Sequence, residues 1–144
     1  MDRDIETVEG ACHCGTVRFR ARLSEGLRSA RRCDCSYCRM RGAVVVSAAK
    51  EDFTVLAGGE ALSVYRFNTR QSEHFFCGRC GIYTHHGRRS NPGQYGINVA
   101  CLEGLSPFDF DEVPVNDGVR HPSDAPAGAA GPRLAGVLRF IRNP

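Results

Sequence analysis

The stretch FFCGRCGIYTHH, residues 75–86, holds a C-x-x-C pair, Cys77 and Cys80, each followed by a glycine and flanked by apolar residues. Two cysteines separated by two residues can reach one tetrahedral zinc ion from a single tight turn, with each sulfur about 2.3 Å from the metal. Gly78 and Gly81 are expected to give that turn its backbone freedom. The apolar runs on either side, HFF and IYT, then read as two strands that the turn joins. The stretch therefore predicts a β-hairpin closed by a metal-binding knuckle.

One knuckle supplies two ligands, and the rest of the chain supplies more. Of eight cysteines, seven fall in three clusters: Cys12 and Cys14 in CHCG, Cys33, Cys35 and Cys38 in RRCDCSYCRMRG (residues 31–42), and Cys77 and Cys80. Three such clusters in a chain of 144 residues are strong evidence for metal binding. A closed structural site takes four protein ligands, whereas a catalytic site keeps three and an open position. The two doublets make four, and would tie the N-terminal strand to the middle of the chain across a long loop. The triplet makes three. Competing readings are disulfides, an iron–sulfur cluster on the same thiolates, and a second closed zinc site completed by Cys101 or a histidine. Cys101, alone in the apolar run NVACL, reads first as a buried inert thiol.

The length suits one domain spanning residues 1–144, with core enough to fold. No run of 18 apolar residues occurs, so no membrane span is expected, and the polar start MDRDIETVEG lacks the features of a signal peptide. The expected location is the cytoplasm, where thiols stay reduced. The net charge is +3, with eighteen arginines against the single Lys50. Acidic residues are interspersed and no nucleic-acid motif is present, so no nucleic-acid partner is expected.

The pattern along the chain is mainly β. In TVRFRAR, residues 16–22, Val17, Phe19 and Ala21 alternate with arginines as in a half-buried strand. AVVVS from Ala43, FTVLAG from Phe53, LSVYRFN from Leu62, HFFC, GIYTHH and QYGINVACL read as further strands, with a turn at Gly58 and Gly59. Ser36 is expected to cap one short helix through YCRMRG. The stretch from Pro107 to about residue 135, rich in Pro, Gly, Ala and Asp, reads as irregular, before a final strand GVLRFI.

The segments GACHCGTVRF, CDCSYCRMRGA, FFCGRCGIYTHH and DGVRHPSD together resemble the glutathione-dependent formaldehyde-activating enzyme family, which includes the centromere protein V domain; the likeness runs from about Gly10 to about Asp124. The resemblance implies an Mss4-like β-tent of short antiparallel strands with one short helix and long loops. It implies two zinc ions: a structural one on Cys12, Cys14, Cys77 and Cys80, and a catalytic one on Cys33, Cys35 and Cys38. The implied activity is that of a carbon–sulfur lyase joining glutathione to formaldehyde as S-hydroxymethylglutathione.

The residues themselves permit this chemistry. Three thiolates on a divalent zinc leave a formal charge of −1, which weakens activation of a bound water but suits a thiol as fourth ligand, deprotonated on binding. A thiolate beside a small aldehyde gives a hemithioacetal. His85, His86, Tyr37 and Asn98 are candidate proton donors, each with a structural alternative, and His121 reads as a loop-orienting residue. Arg31, Arg32, Arg39 and Arg41 flank the triplet and match the carboxylates of glutathione, or else simply face solvent. Two other functions compete. One is a non-catalytic zinc-stabilised binding module of Mss4-like fold. The other is methionine sulfoxide reduction, which would require a nucleophilic cysteine where Gly96 stands.

Overall fold

The computed structural model describes residues 2–67, 72–119 and 133–144. Eleven strands, one α-helical turn and four short 3-10 turns are present among them. Strands β1 (Thr7–Ala11) and β2 (Arg18–Arg22) form a hairpin, and β5 (Phe53–Ala57) pairs on the other side of β2. A larger sheet runs in the order β4 (Val45–Ala49), β9 (Gln94–Asn98), β8 (Tyr83–Gly87), β7 (His74–Cys77), β6 (Leu62–Tyr65), every neighbour antiparallel. A third sheet has the order β11 (Leu134–Arg139), β10 (Glu112–Asn116), β3 (Arg32–Cys33). The helical turn α1 covers Cys38–Arg41. The architecture is mainly β, as the sequence pattern predicts, and is the Mss4-like arrangement of short strands that the resemblance implies, with one departure: β3 and β10 run parallel.

The alternation in β2 decides where the core lies. Phe19 and Ala21 point inward while Arg18, Arg20 and Arg22 point to solvent. On the solvent face Arg20 meets Glu9 directly across the hairpin, and Arg22 and Arg18 meet Glu6 and Glu103. These exposed pairs contribute little to stability. The inward side chains join Val8 of β1, Val46 and Ala48 of β4 and Ile97 of β9 in one buried cluster, so the core lies between the small and the large sheet. Leu27 and Phe110, from loops, close it.

Three expectations are corrected. Ser36 does not cap the helix. The residue at the cap is Tyr37, without a side-chain bond, and the amide of Cys38 donates instead to Cys35 Sγ at 3.3 Å. The sulfur of Cys35 thus takes the place of a capping hydroxyl. The stretch after Pro107 is not wholly irregular. Ser106 and Asp109 form a capping box around a short 3-10 turn, and β10 follows. Pro114 is tolerated in β10 because β3 joins only at Val115 and Asn116, so at the proline the strand has β11 alone as its neighbour. Residues 120–132 of that stretch lie outside the described residues. Finally, only Gly81 of the two knuckle glycines has positive φ, at 80°; Gly78 instead lies tight against β6 and its preceding turn, where its amide donates to the Ala61 carbonyl.

Candidate metal centres

The β1–β2 turn and the β7–β8 turn face each other. Gly15, with φ of 79°, and Gly81 reverse the chain just after the second cysteine of each doublet, which directs both sulfurs of a turn to one point. Cys12 Sγ lies 3.7 Å from Cys14 Sγ, and Cys14 Sγ lies 3.8 Å from Cys77 Sγ. Four sulfurs about 2.3 Å from one zinc ion at tetrahedral angles are about 3.8 Å apart, so the four thiols already stand at the edges of the required tetrahedron. All four sulfurs of Cys12, Cys14, Cys77 and Cys80 fall within 4.8 Å of one another. Backbone amides of Val17 and Arg79 donate to the sulfurs of Cys12 and Cys77. Thr16, 3.1 Å from Cys14 Sγ, holds that thiol down to about 6. The donor set fits a closed tetrahedral metal site.

The triplet is built differently. Cys33 ends β3, Cys35 sits in the following bend and Cys38 opens α1, and their sulfurs also lie within 4.8 Å of one another. Among the described residues no other Cys, His, Asp or Glu completes this group. Thiol contacts from Cys33 and Cys38, then the amides of Cys38 and Tyr37, push Cys35 far below an ordinary thiol, while Cys33 and Cys35 push Cys38 up. The loop is clasped by the end of β10: Asp34 Oδ1 accepts the Gly118 amide at 2.7 Å, and the Asp34 amide donates to Asn116 O. Gly118 passes so close that a Cβ there would collide with Cys33 Sγ and stand 2.7 Å from Cys35 Cβ. The triplet opens on a cavity of about 420 Å³, within the range of small-molecule sites.

Behind Cys38 stands Arg41. Its Nη2 donates to Cys38 Sγ at 3.5 Å and its Nη1 donates to His74 Nδ1 at 2.9 Å, while the guanidinium lies 3.6 Å over the Tyr83 ring and 4.8 Å over Tyr37. Because an arginine can only donate, His74 carries its proton on Nε2. Burial, then Arg41, lowers His74 to about 4, so it is neutral. Burial holds His86 well below the usual histidine range too; its Nδ1 lies 2.6 Å from the Tyr83 hydroxyl, which burial pushes upward.

The candidates read from sequence separate on this frame. Arg31, Arg39, Arg41 and His86 line the cavity. Arg32 and Tyr37 do not; Tyr37 stacks on Tyr65, Phe67 and His74. His85 is packed among Phe53, Phe75 and Tyr95, away from the cavity. Asn98 serves the backbone, donating to Tyr83 O and accepting from the Ala100 amide. Cys101 joins neither cluster: its thiol donates to Tyr83 O, and burial pushes it up to about 12. It is the buried inert thiol expected. His121 lies outside the described residues. A Cβ at Gly96 would run into the His86 ring, so no thiol fits there and the sulfoxide reductase reading loses its nucleophile. Sequence reasoning missed His74, Arg88 and Arg89, all on the cavity wall. The pairing of His74 with His86 across β7 and β8 was the signal that marks the first of them.

A model of the glutathione-dependent formaldehyde-activating enzymes matches residues 7–112, well over half of the chain. The chain belongs to that family. The matched residues include all seven clustered cysteines and end before the DGVRHPSD segment. A curated protein of Halomonas elongata, provisionally named as a glutathione-dependent formaldehyde-activating enzyme, is 37% identical over 81 residues; the match spans 51% of each chain, about half the length of that relative. A crystal structure of a Rhodobacter sphaeroides protein is 54% identical, with a TM-score of 0.73 over 74% of this chain and 98% of the other. No helix among the described residues is long and apolar enough to cross a membrane.

Proposed function

We propose that this member of the family is a zinc-dependent enzyme of the carbon–sulfur lyase class that joins a thiol, glutathione, to formaldehyde and yields S-hydroxymethylglutathione. In this reading Cys12, Cys14, Cys77 and Cys80 hold a structural zinc, and Cys33, Cys35 and Cys38 hold a catalytic one. The observation that carries it is the contrast between the two clusters: one closed with four sulfurs, the other with three sulfurs on a cavity large enough for a tripeptide. The cytoplasm, where glutathione and reduced thiols coexist, is the location that suits it.

The bound zinc would supply a seat on which a thiol loses its proton at neutral pH. The chain's own residues do the rest. The β3–α1 loop, clasped by Asp34 and Gly118, fixes the three ligand sulfurs. Arg41 offsets the negative charge of the thiolates from behind Cys38. His74 and His86, both neutral, line the cavity and are the groups placed to donate a hydrogen bond to an aldehyde oxygen as negative charge develops on it, the proton itself coming from solvent. Of the donors considered from sequence, His86 is the one that lines the cavity, and His74 joins it there.

Thiols add to formaldehyde unaided, so the test is kinetic. Exchange NMR of glutathione with formaldehyde should show faster interconversion with the wild-type protein than with Cys35→Ser at equal concentration, and an unchanged equilibrium. Equal rates would leave the fold and the metal clusters standing and turn the reading to the binding module.

A further inference from the structure

Two groups stand out among the eighteen arginines of this protein. Those at positions 18, 20, 22, 28, 66 and 139 lie on the surface and each meets a carboxylate. Around the cavity the balance is different: five arginines line it, at positions 31, 39, 41, 88 and 89, against two aspartates, Asp34 and Asp117. Among the described residues, neither Arg31 nor Arg88 forms an ion pair with a carboxylate.

What these two touch instead is neutral. Arg31 Nη1 donates to Ser29 O at 3.0 Å and to Ser47 Oγ at 2.9 Å. Arg88 Nη1 donates to the same Ser47 Oγ at 3.3 Å and to Gln94 Oε1, and its Nη2 donates to Ser90 Oγ at 3.3 Å. Ser47 itself is 3% exposed. Two half-buried guanidiniums therefore converge on one buried hydroxyl, held by neutral acceptors; the charge of Glu25 reaches Arg88, and those of Cys33 and Cys38 reach Arg31, only through space. Two like charges brought together in this way repel, and the arrangement is favourable when an anion sits against both.

The triplet accounts for that charge only in part, acting on Arg31 through space. Three thiolates and one divalent ion leave a single negative charge, and Arg41 already stands against it, bonded to Cys38 Sγ. Arg31 and Arg88 form no hydrogen bond to any cysteine sulfur. Among the described residues, then, the two positive charges on this cavity wall have no anion hydrogen-bonded to them. A guanidinium pair matches a planar carboxylate, which can accept two N–H donors at once. The backbone fixes both residues: Arg31 bridges Val45 of β4 through a pair of amide bonds, and Arg88 follows β8, its amide donating to Gln94 O.

We propose that Arg31 and Arg88 form a carboxylate-binding subsite in the wall of the cavity, which selects thiol substrates that carry a free carboxylate. The subsite rests on the reading of the cavity as the thiol site, and it names what distinguishes a good thiol from a poor one there. Neutral thiols of the same size would reach the triplet without this anchor.

The test uses the zinc-loaded protein and three probes: glutathione, its diethyl ester, and S-methylglutathione, which keeps the carboxylates and lacks the thiol. Arginine Nε–H NMR reports the guanidiniums, and the visible spectrum of the cobalt-substituted protein reports sulfur coordination separately. S-Methylglutathione should shift the Arg31 and Arg88 signals, and esterification should weaken glutathione binding at least tenfold. Arg88→Gln should weaken glutathione by a similar factor while leaving the diester within about twofold, and Arg88→Lys should restore part of the loss. Equal affinity for acid and ester, in a protein whose cobalt spectrum still answers glutathione, overturns the subsite and spares the thiol reading. Arginine shifts without a cobalt response do the reverse. If Arg88→Gln does not fold, the acid-against-ester comparison on the wild-type protein decides alone.

Discussion

His85 shows how a residue that invites a catalytic reading is used for packing instead. It is 3% exposed, its ring 4.5 Å from Phe75 and 4.3 Å from Phe53, with Thr84 Oγ1 2.8 Å from Nδ1. Burial lowers it to about 3, against an ordinary histidine near 6.5. The folded state therefore binds a proton less readily than the unfolded chain. Its contribution to stability is fully present above about pH 6.5 and is lost as pH falls from there toward 3, by of the order of 4 kcal/mol at the low end. Phenylalanine fits the same aromatic surroundings and does not titrate. Denaturant unfolding of His85→Phe should give a stability within about 1.5 kcal/mol of wild type at pH 7.5 and a shallower loss in acid. Parallel acid limbs for the two proteins would show that His85 is not buried neutral.

At the scale of elements, the knuckles and β2 were legible because their signals are local. Spacing fixes which cysteines share a turn, and a two-residue period fixes which side chains of Val17 to Arg22 face the core. β1 was not read, since TVEGA carries a glutamate and a glycine and draws its stability from β2 beside it. β10 was obscured by Pro114, and the parallel clasp between β10 and β3 joins residues some eighty positions apart, which no local pattern reveals. The cavity wall was half legible: Arg31, Arg39 and Arg41 border the cysteines in sequence, whereas His74 and Arg88 arrive through strand pairing. The same distinction between local and distant predicts how the clusters respond to mutation. The four-cysteine site links the β1–β2 turn to the β7–β8 turn, so a metal bound there would hold two sheets together. Structural zinc contributes roughly 10–16 kcal/mol in small domains, comparable with the whole stability of about 5–15 kcal/mol of a typical protein. Cys77→Ser should abolish cooperative unfolding or leave the protein insoluble. Cys35→Ser, in a loop between β3 and α1, should lose one zinc equivalent by metal analysis and keep a cooperative transition. A soluble, cooperatively folded Cys77→Ser protein with unchanged metal content would refute this division.

For the molecule as a whole, the two clusters differ in what they join as well as in ligand number. In the four-cysteine group Cys12 and Cys77 are buried, at 4% and 0% exposure, with sulfurs that accept amide hydrogen bonds from the turns around them, while Cys14 is exposed and Cys80 half-buried. The triplet opens on the cavity, where a small chelator can approach directly. A chelator must displace sulfurs one at a time, and in the closed site each displacement also loosens the junction between sheets, so release there is coupled to unfolding. The zinc-loaded protein should therefore lose metal in two stages. The first equivalent should leave quickly with a chelator such as EDTA, with far-ultraviolet circular dichroism unchanged and with loss of the catalytic advantage. The second should leave at the rate of global unfolding, accelerated by urea in proportion to the unfolding rate. Glutathione, by filling the open position at the triplet, should slow the first stage and leave the second unaffected. Release of both equivalents in one step, with loss of secondary structure, would mean that the β3–α1 loop is as integral to the fold as the knuckles are, and that the triplet is a structural site.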